Sequence, residues 1–463
     1  MRVSRCAAAI LAAALSTGCS DRAHRPSVRP RDDSDLGVPA AAEPAPETAA
    51  APAAPPALPR PPAPDGVGPF LVLLGGDLML PPQVQEVARL HGGGDLAAGY
   101  AWLLREIAPV RRGIEALGRV VFVANLESPI ATERVPPTSS PPVFNGPREA
   151  LDGFRRAGVD VVTTANNHAF DQGREGLGET IAAAKEAGLG VAGAGTAADA
   201  RRPAVLSDAA PRVLLLAYAM TVRRPRDPPG EAEWRIATLD GRVEAEVREA
   251  RAAADVLIVT VHWVGEFVST PYDGWRDWAR SIAGWGADAV VCHGPHVLGP
   301  VEVFDAPGRR VPIVYSLGNL VANMGWEVHP GAPLAPGDDS RMRMESREQA
   351  LAALRIDKGT AGWAVSGLWI VPLWLEDNRP IANRPGGPPR EVFPRPMPWC
   401  VPMDPAAGCF RGAGASWCRG RLDTILRRRV AALRTLWGTE PQPLEPCPPG
   451  ADPYAPQPDF RPL

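Results

Sequence analysis

The chain has little of three things that would place it quickly. Aromatic residues are 6% of its 463 positions, and 49 basic residues nearly balance 52 acidic ones. No Gly-x-x-x-x-Gly-Lys-Ser/Thr loop occurs. A formal net charge of −3 builds no basic surface for a phosphate backbone, so nucleic-acid binding is not expected. Without a phosphate-cradling loop, ATP-driven ligation has no support. A Gly-x-Ser-x-Gly elbow is missing too, which argues against a serine hydrolase. No internal repeat is visible, and beyond the N-terminus no run is long and apolar enough to cross a bilayer.

What is present begins at the N-terminus. Arg2 and Arg5 precede an Ala/Leu-rich stretch over 6–15, too short for a transmembrane helix and suited to a signal peptide. It ends at Leu15-Ser16-Thr17-Gly18-Cys19, which resembles a bacterial lipoprotein cleavage site with Ser16 where Leu is usual. A lipidated Cys19 would anchor an exported protein on the periplasmic or extracellular side without spanning the membrane; simple secretion is the alternative. Residues 20–69 are rich in Ala and Pro and read as a linker that buries no core. Late in the chain, Cys400, Cys409, Cys418 and Cys447 suggest two disulfides made in an oxidising compartment, with three pairings open. A zinc site is the rival, although no Cys-x-x-Cys pair occurs. Cys292 closes an apolar run and reads as a small buried hydrophobe.

From residue 70 onward, apolar β-branched runs alternate with helical periodicity. Runs at 70–74, 120–124, 159–164, 189–192, 213–218, 256–261, 289–292 and 311–315 read as strands. Segments 147–157, 173–187, 239–253 and 272–285 read as helices, with Gly188 and Gly286 where C-caps belong. The alternation argues for a layered α/β fold. Residues 363–375 add a strand or two, and from 376 a Pro- and Arg-rich appendage carries one helix over 419–436. Loops 222–233 and 325–344 are candidates to border a cleft.

Five strand runs end on polar clusters: Gly75-Gly76-Asp77, Asn125-Leu126-Glu127, Asn166-Asn167-His168, His262, and His293-Gly294-Pro295-His296. In an open α/β sheet, ligands bind at the carboxyl ends of the strands. Carboxylate, amide and imidazole groups brought to one sheet edge make a candidate divalent-metal site. Asp171, three residues past His168, is placed to orient it. Ser316 and Asn319 either donate hydrogen bonds to a bound oxyanion or make a turn.

The series GGDLML (75–80), NLESP (125–129), TTANNHAFDQG (163–173), VHW (261–263), HGPHVL (293–298) and YSLGN (315–319) resembles the CapA family of capsule and poly-γ-glutamate synthesis proteins. That family is similar in fold to the calcineurin-like metallophosphoesterases. The resemblance implies a metallophosphoesterase-like β-sheet core flanked by helices over 70–375, with one or two divalent ions (Mn, Fe or Zn). It implies metal ligands Asp77, Glu127, Asn167, His262, His293 and His296, with Glu127 where a bridging carboxylate is expected. His168 would protonate a leaving group, and Asn125, Asn166, Glu266, Ser316 and Asn319 would face the substrate. Two departures from the CapA pattern stand out: Val264 adds a residue before Glu266, and Gly294 separates His293 from Pro295; Met79, where the metallophosphoesterases have a His ligand, is a feature that CapA-like sequences share. The implied function is metal-dependent hydrolysis, outside the cytoplasm, of a phosphoester or of an amide in an anionic envelope polymer such as poly-γ-glutamate. It would act alongside other capsule-synthesis proteins. The alternative is a non-catalytic lipoprotein that binds, exports or anchors the polymer through a degenerate metal site.

Overall fold

Long β-branched runs form the centres of two sheets rather than one. The computed structural model describes residues 68–463 except 140–141, 224–233, 326–343 and six single positions of the tail (405, 407, 408, 411, 442 and 456). Cys19, the linker up to residue 67 and most of the two cleft-bordering loops therefore lie outside the described residues.

The first sheet runs, in spatial order, Val392–Pro396, Gly362–Asp377, Glu348–Gly359, Phe70–Leu78, Arg119–Leu126, Val161–Thr163 and Gly190–Ala192. Asn319–Val321 also pairs with Phe70–Leu78, and Arg461–Pro462 with Gly362–Asp377. The second sheet runs Val301–Ala306, Arg309–Val314, Ala289–His293, Val256–His262, Val213–Ala219 and Ala204–Ser207. Parallel pairing dominates around the strands that carry polar ends: Phe70–Leu78 with Arg119–Leu126, and Val256–His262 with Ala289–His293.

Side-chain alternation along each strand separates three apolar layers. Val72, Val123 and Val161 from the first sheet share a core with Leu215, Ile258 and Val291 from the second. The opposite parity of the first sheet (Leu71, Leu73, Phe122, Val162) packs under helices Pro82–His91, Leu96–Leu103, Ile107–Glu115 and Glu149–Arg156. Leu214, Leu257, Val259 and Val290 pack under helices Val243–Ala252 and Asp273–Trp285. The result is a helix–sheet–sheet–helix sandwich, which is why these strands read as unbroken apolar runs: both faces are covered.

This corrects the single-sheet expectation. Asp77 lies in, and Glu127 and Asn167 follow, strands of the first sheet, while His262 and His293 end strands of the second. An apolar run records that a strand is buried, not which sheet it joins. Three helices between residues 82 and 115 are absent from the sequence expectation, although Val84, Val87 and Ala88, and Ile107, Val110 and Ile114, recur at helical spacing.

Residues past 376 continue the first sheet, since Val392–Pro396 and Arg461–Pro462 hydrogen-bond to Gly362–Asp377. The helix expected over 419–436 spans Ala415–Trp437. The four late cysteines form Cys400–Cys447 and Cys409–Cys418 disulfides, so they hold no zinc; Cys292 is free and buried. Among the described residues no helix is long and apolar enough to cross a membrane.

Candidate metal centre

Two glycines let the backbone bring its ligand-type side chains together. A Cβ on Gly76 would collide with the Gly318 carbonyl, so only glycine allows this close approach of Phe70–Leu78 to Asn319–Val321. It sets Asp77 beside Asn319. Gly294, at φ 109°, has no room for a Cβ against the Trp263 carbonyl. There the two loops knit together: Trp263 N donates to His293 O at 2.9 Å and Phe267 N to Pro295 O at 2.7 Å. The extra residue near Val264 and the inserted Gly294 thus accommodate one another. His296 sits at φ 60°, a strained backbone for a residue with a side chain. Alanine at Gly294 is expected to push His293 out of place and to weaken metal retention at least about tenfold, read by elemental analysis after dialysis.

Asp77, fully buried, is common to two groups of potential ligands: Asp77 with His262 and His293, and Asp77 with Glu127 and His296. On the first side, His262 and His293 are register partners on adjacent parallel strands, with their Nδ1 atoms 2.9 Å apart. Asp77 Oδ1 lies 3.4 Å from His293 Nδ1 and 3.9 Å from His262 Nδ1. His262 Nε2 donates to Asn167 Oδ1 at 2.8 Å, because an amide oxygen only accepts; this leaves the Nδ1 lone pair toward Asp77 and His293. On the second side, His296 Nδ1 donates to Asn319 Oδ1 at 2.9 Å and to Asp77 Oδ2 at 3.2 Å. Its Nε2 then faces Glu127 Oε1 at 3.9 Å. Both oxygens of Glu127 are buried without a hydrogen-bond partner, as is His293 Nε2. Orphaned acceptors packed against imidazole nitrogens suit a shared cation, since such ligands bind zinc-type ions at about 2.0–2.2 Å.

The electrostatics agree. Burial alone would raise the Asp77 carboxyl, but the His296 hydrogen bond and the nearby histidines more than offset it and hold it well below the usual range. Burial, reinforced by the charge of Asp77, pushes Glu127 well above it. His262 and His293 are lowered by burial and stay neutral, as metal ligands must. His296 is driven down by burial but further up by Glu127 and Asp77, to about 9.

Beside these groups stands His168, whose Nδ1 is 2.7 Å from Asp171 Oδ2. Phe144 N donates to the same oxygen at 2.8 Å, and the Phe144 ring packs on the imidazole at 4.5 Å. Burial holds His168 below its ordinary pKa despite Asp171, so the imidazole rests neutral at pH 7.

Other expected residues take different places. Asn125 is buried and donates to Asp77 Oδ1 at 2.8 Å, while accepting from Thr163 and Asn166. Asn166 also donates to Leu126 O at 2.8 Å. Ser316 Oγ accepts from Gly318 N at 3.1 Å, closing the turn that the sequence left open as one of two readings. Asn319 orients His296. All four are buried: Asn125, Asn166 and Asn319 hydrogen-bond within or beside the cluster, and Ser316 closes the turn. Glu266 is exposed, near enough for its charge to raise Glu127 and His296. Met79 packs in the apolar layer of the first sheet, away from the polar groups. Asp77 belongs to both groups of potential ligands, its two oxygens facing different histidines, while Glu127 Oε1 lies 3.5 Å from His262 Nε2 and 3.9 Å from His296 Nε2. Sequence reasoning missed Arg223, which carries no motif and meets the site only through folding.

A two-sheet α/β sandwich with carboxylates and imidazoles gathered at its joined strand ends defines an α/β domain with a candidate divalent-cation site. The chain belongs to the bacterial capsule synthesis protein PGA_cap family, whose pattern matches residues 71–324. It is 26% identical over 260 residues to the PGA biosynthesis protein CapA of Bacillus subtilis, covering 54% of this chain and 63% of that protein. It is 26% identical over 259 residues to the capsule biosynthesis protein CapA of Bacillus anthracis, covering 54% and 59%. The chain thus spans about six-tenths of the length of these two relatives. A calcineurin-like phosphoesterase of Bacillus subtilis, YfkN, shares 14% identity over 66% of this chain and 90% of that one, with a TM-score of 0.37. That likeness is too slight to assign a chemistry.

Proposed function

We propose that this protein takes part in capsule or poly-γ-glutamate biosynthesis as an exported, Cys19-anchored protein with a metal-dependent hydrolase site. Family membership supports the biological setting. The observation that carries the chemistry is the fully buried, donor-free Glu127 carboxylate packed among His262, His296 and Asp77. Asp77, Glu127, His262, His293 and His296, with Asn167 touching His262, would hold one or two divalent ions. An ion bound there supplies Lewis-acid polarisation of a phosphoryl or acyl oxygen and acidifies a water. His168, held by Asp171, moves the proton: neutral at rest, it takes one from the attacking water and returns it to the leaving group. Asn125 and Asn319 fix Asp77 and His296 in place.

The test is metal content followed by turnover. The purified protein is expected to carry one or two equivalents of a transition metal and to hydrolyse a phosphoester or a γ-glutamyl peptide. His168→Gln is expected to keep the metal and lose about 10²–10⁴-fold in turnover. A folded protein that takes up no Mn, Fe or Zn overturns the reading. Metal and polymer binding without turnover instead favours a carrier role. Met79, apolar where the metallophosphoesterases carry a His ligand, is the observation on that side.

Metal binding should also release protons. His296 titrates near 9 when no ion is bound, so at pH 7 it carries a proton that an incoming ion displaces. Affinity is expected to climb with pH up to about 9. Calorimetry of the metal-stripped protein in buffers of different ionisation enthalpy should report about one proton released per ion at this position.

A further inference from the structure

We propose that Arg223 is the oxyanion receptor of this site, holding a carboxylate or phosphate group of the substrate beside His168 and the metal ligands. The inference deepens the hydrolase reading above and rests on it for the identity of the neighbouring groups.

Arg223 lies just past the carboxyl end of the Val213–Ala219 strand, on the same side of the sandwich as His262 and His293. Its backbone is tied to the cluster, with its N–H donating to Asn167 O at 3.4 Å. Its guanidinium is fixed at one corner, where Nη1 donates to Pro142 O at 2.6 Å. That nitrogen is also 4.0 Å from Asp171 Oδ1, at the outer limit of an ion pair. Asp171 already accepts from His168 and from Phe144 N, so neutralising it does not require Arg223. Its charge reaches His168 as well, helping to lower that imidazole.

The side chain remains 38% exposed. Guanidinium carries five N–H donors in a planar fork, and Nη1 alone makes a hydrogen bond among the described residues. A pinned, half-exposed guanidinium is pre-organised for a bidentate oxyanion contact, because little side-chain entropy remains to be lost. Around it the cleft is rich in acid: Asp77, Glu127, Asp171 and exposed Glu266. A bound ion would screen Asp77 and Glu127, but not Asp171 and exposed Glu266, so an anionic substrate gains from a cation on their side. Arg223 supplies that charge on the side of His168. A metal ion would receive the reacting oxygen, whereas Arg223 would hold the neighbouring anionic group and so set which bond faces His168.

The experiment uses the purified full chain, metal-loaded, with elemental analysis run alongside calorimetric binding of two probes, inorganic phosphate and tri-γ-glutamate. Arg223→Ala is expected to weaken at least one probe tenfold or more, with metal content and thermal midpoint unchanged. Arg223→Lys should recover part of that loss, since it keeps the charge but not the fork. The probe that suffers tells whether a phosphate or a carboxylate is the anion recognised. If Arg223→Ala binds both probes as tightly as the wild type, or if the wild type binds neither, Arg223 is not the receptor. A wild-type protein without metal whose probe binding still depends on Arg223 would sustain the receptor and overturn the metal reading alone.

Discussion

Asp77→Asn is expected to fold and to bind neither ion, losing at least about a hundredfold in metal affinity, while Glu127→Gln keeps one ion. The difference follows from geometry. Asp77 Oδ1 faces His262 and His293, and Oδ2 faces His296. Removing its charge therefore strips both groups of potential ligands, whereas Glu127 is a member of one and only borders the other, 3.5 Å from His262 Nε2. The amide is nearly isosteric, but Asn125, Gly294 and His296 all donate to this carboxylate, so its NH2 faces a donor and a moderate loss of stability is expected beside the loss of metal. Elemental analysis and circular dichroism of the two variants decide the matter. If Glu127→Gln empties the site and Asp77→Asn keeps an ion, the shared carboxylate is Glu127 and the arrangement argued here is wrong.

The second large effect lies far from the cluster. Arg421→Ala is expected to destabilise the protein by about 3 kcal/mol or more, because it uncovers a charge in an apolar setting. Glu376 is fully buried on the Gly362–Asp377 strand and forms an ion pair with Arg421 of the Ala415–Trp437 helix. Arg395 approaches the same carboxylate only to 3.7 Å. The helix also brings Arg428 against buried Glu348 and seats Arg421 over the Phe410 ring, 4.9 Å from its centre. Denaturant unfolding of Arg421→Ala and of the double variant Arg421→Ala/Glu376→Gln provides the measurement. The double variant should regain part of the loss, since its buried group is neutral. An Arg421→Ala protein as stable as the wild type would mean that the C-terminal helix does not secure the sheet.

The tail and the cluster show how far the sequence could be read. The helices over residues 149–156, 173–186, 243–252 and 273–285 were legible because each keeps one apolar stripe facing a sheet. In the tail, a long helix and two disulfides were legible, but not that Val392–Pro396 and Arg461–Pro462 extend the main sheet. Edge strands rich in proline carry little alternation, and their pairing depends on partners far away in sequence.

The chemistry-bearing residues were legible by themselves: Asp77, Glu127, Asn167, His168, His262, His293 and His296 each follow an apolar run or sit in its terminal turn. That pattern is local, because a buried strand must end where polar groups begin. Local pattern also marked Gly294 as the place where His293 needs freedom. Tertiary structure decided the rest. It split the strands between two sheets, turned Asn125, Asn166, Ser316 and Asn319 inward, left Glu266 outside and brought Arg223 to His168. It also made Asp77 the common carboxylate. The reason is physical: burial and strand periodicity are properties of neighbouring residues. Which oxygen faces which imidazole depends on the packing of two sheets whose contacting residues, such as Asp77 and His296, are more than two hundred residues apart in the chain.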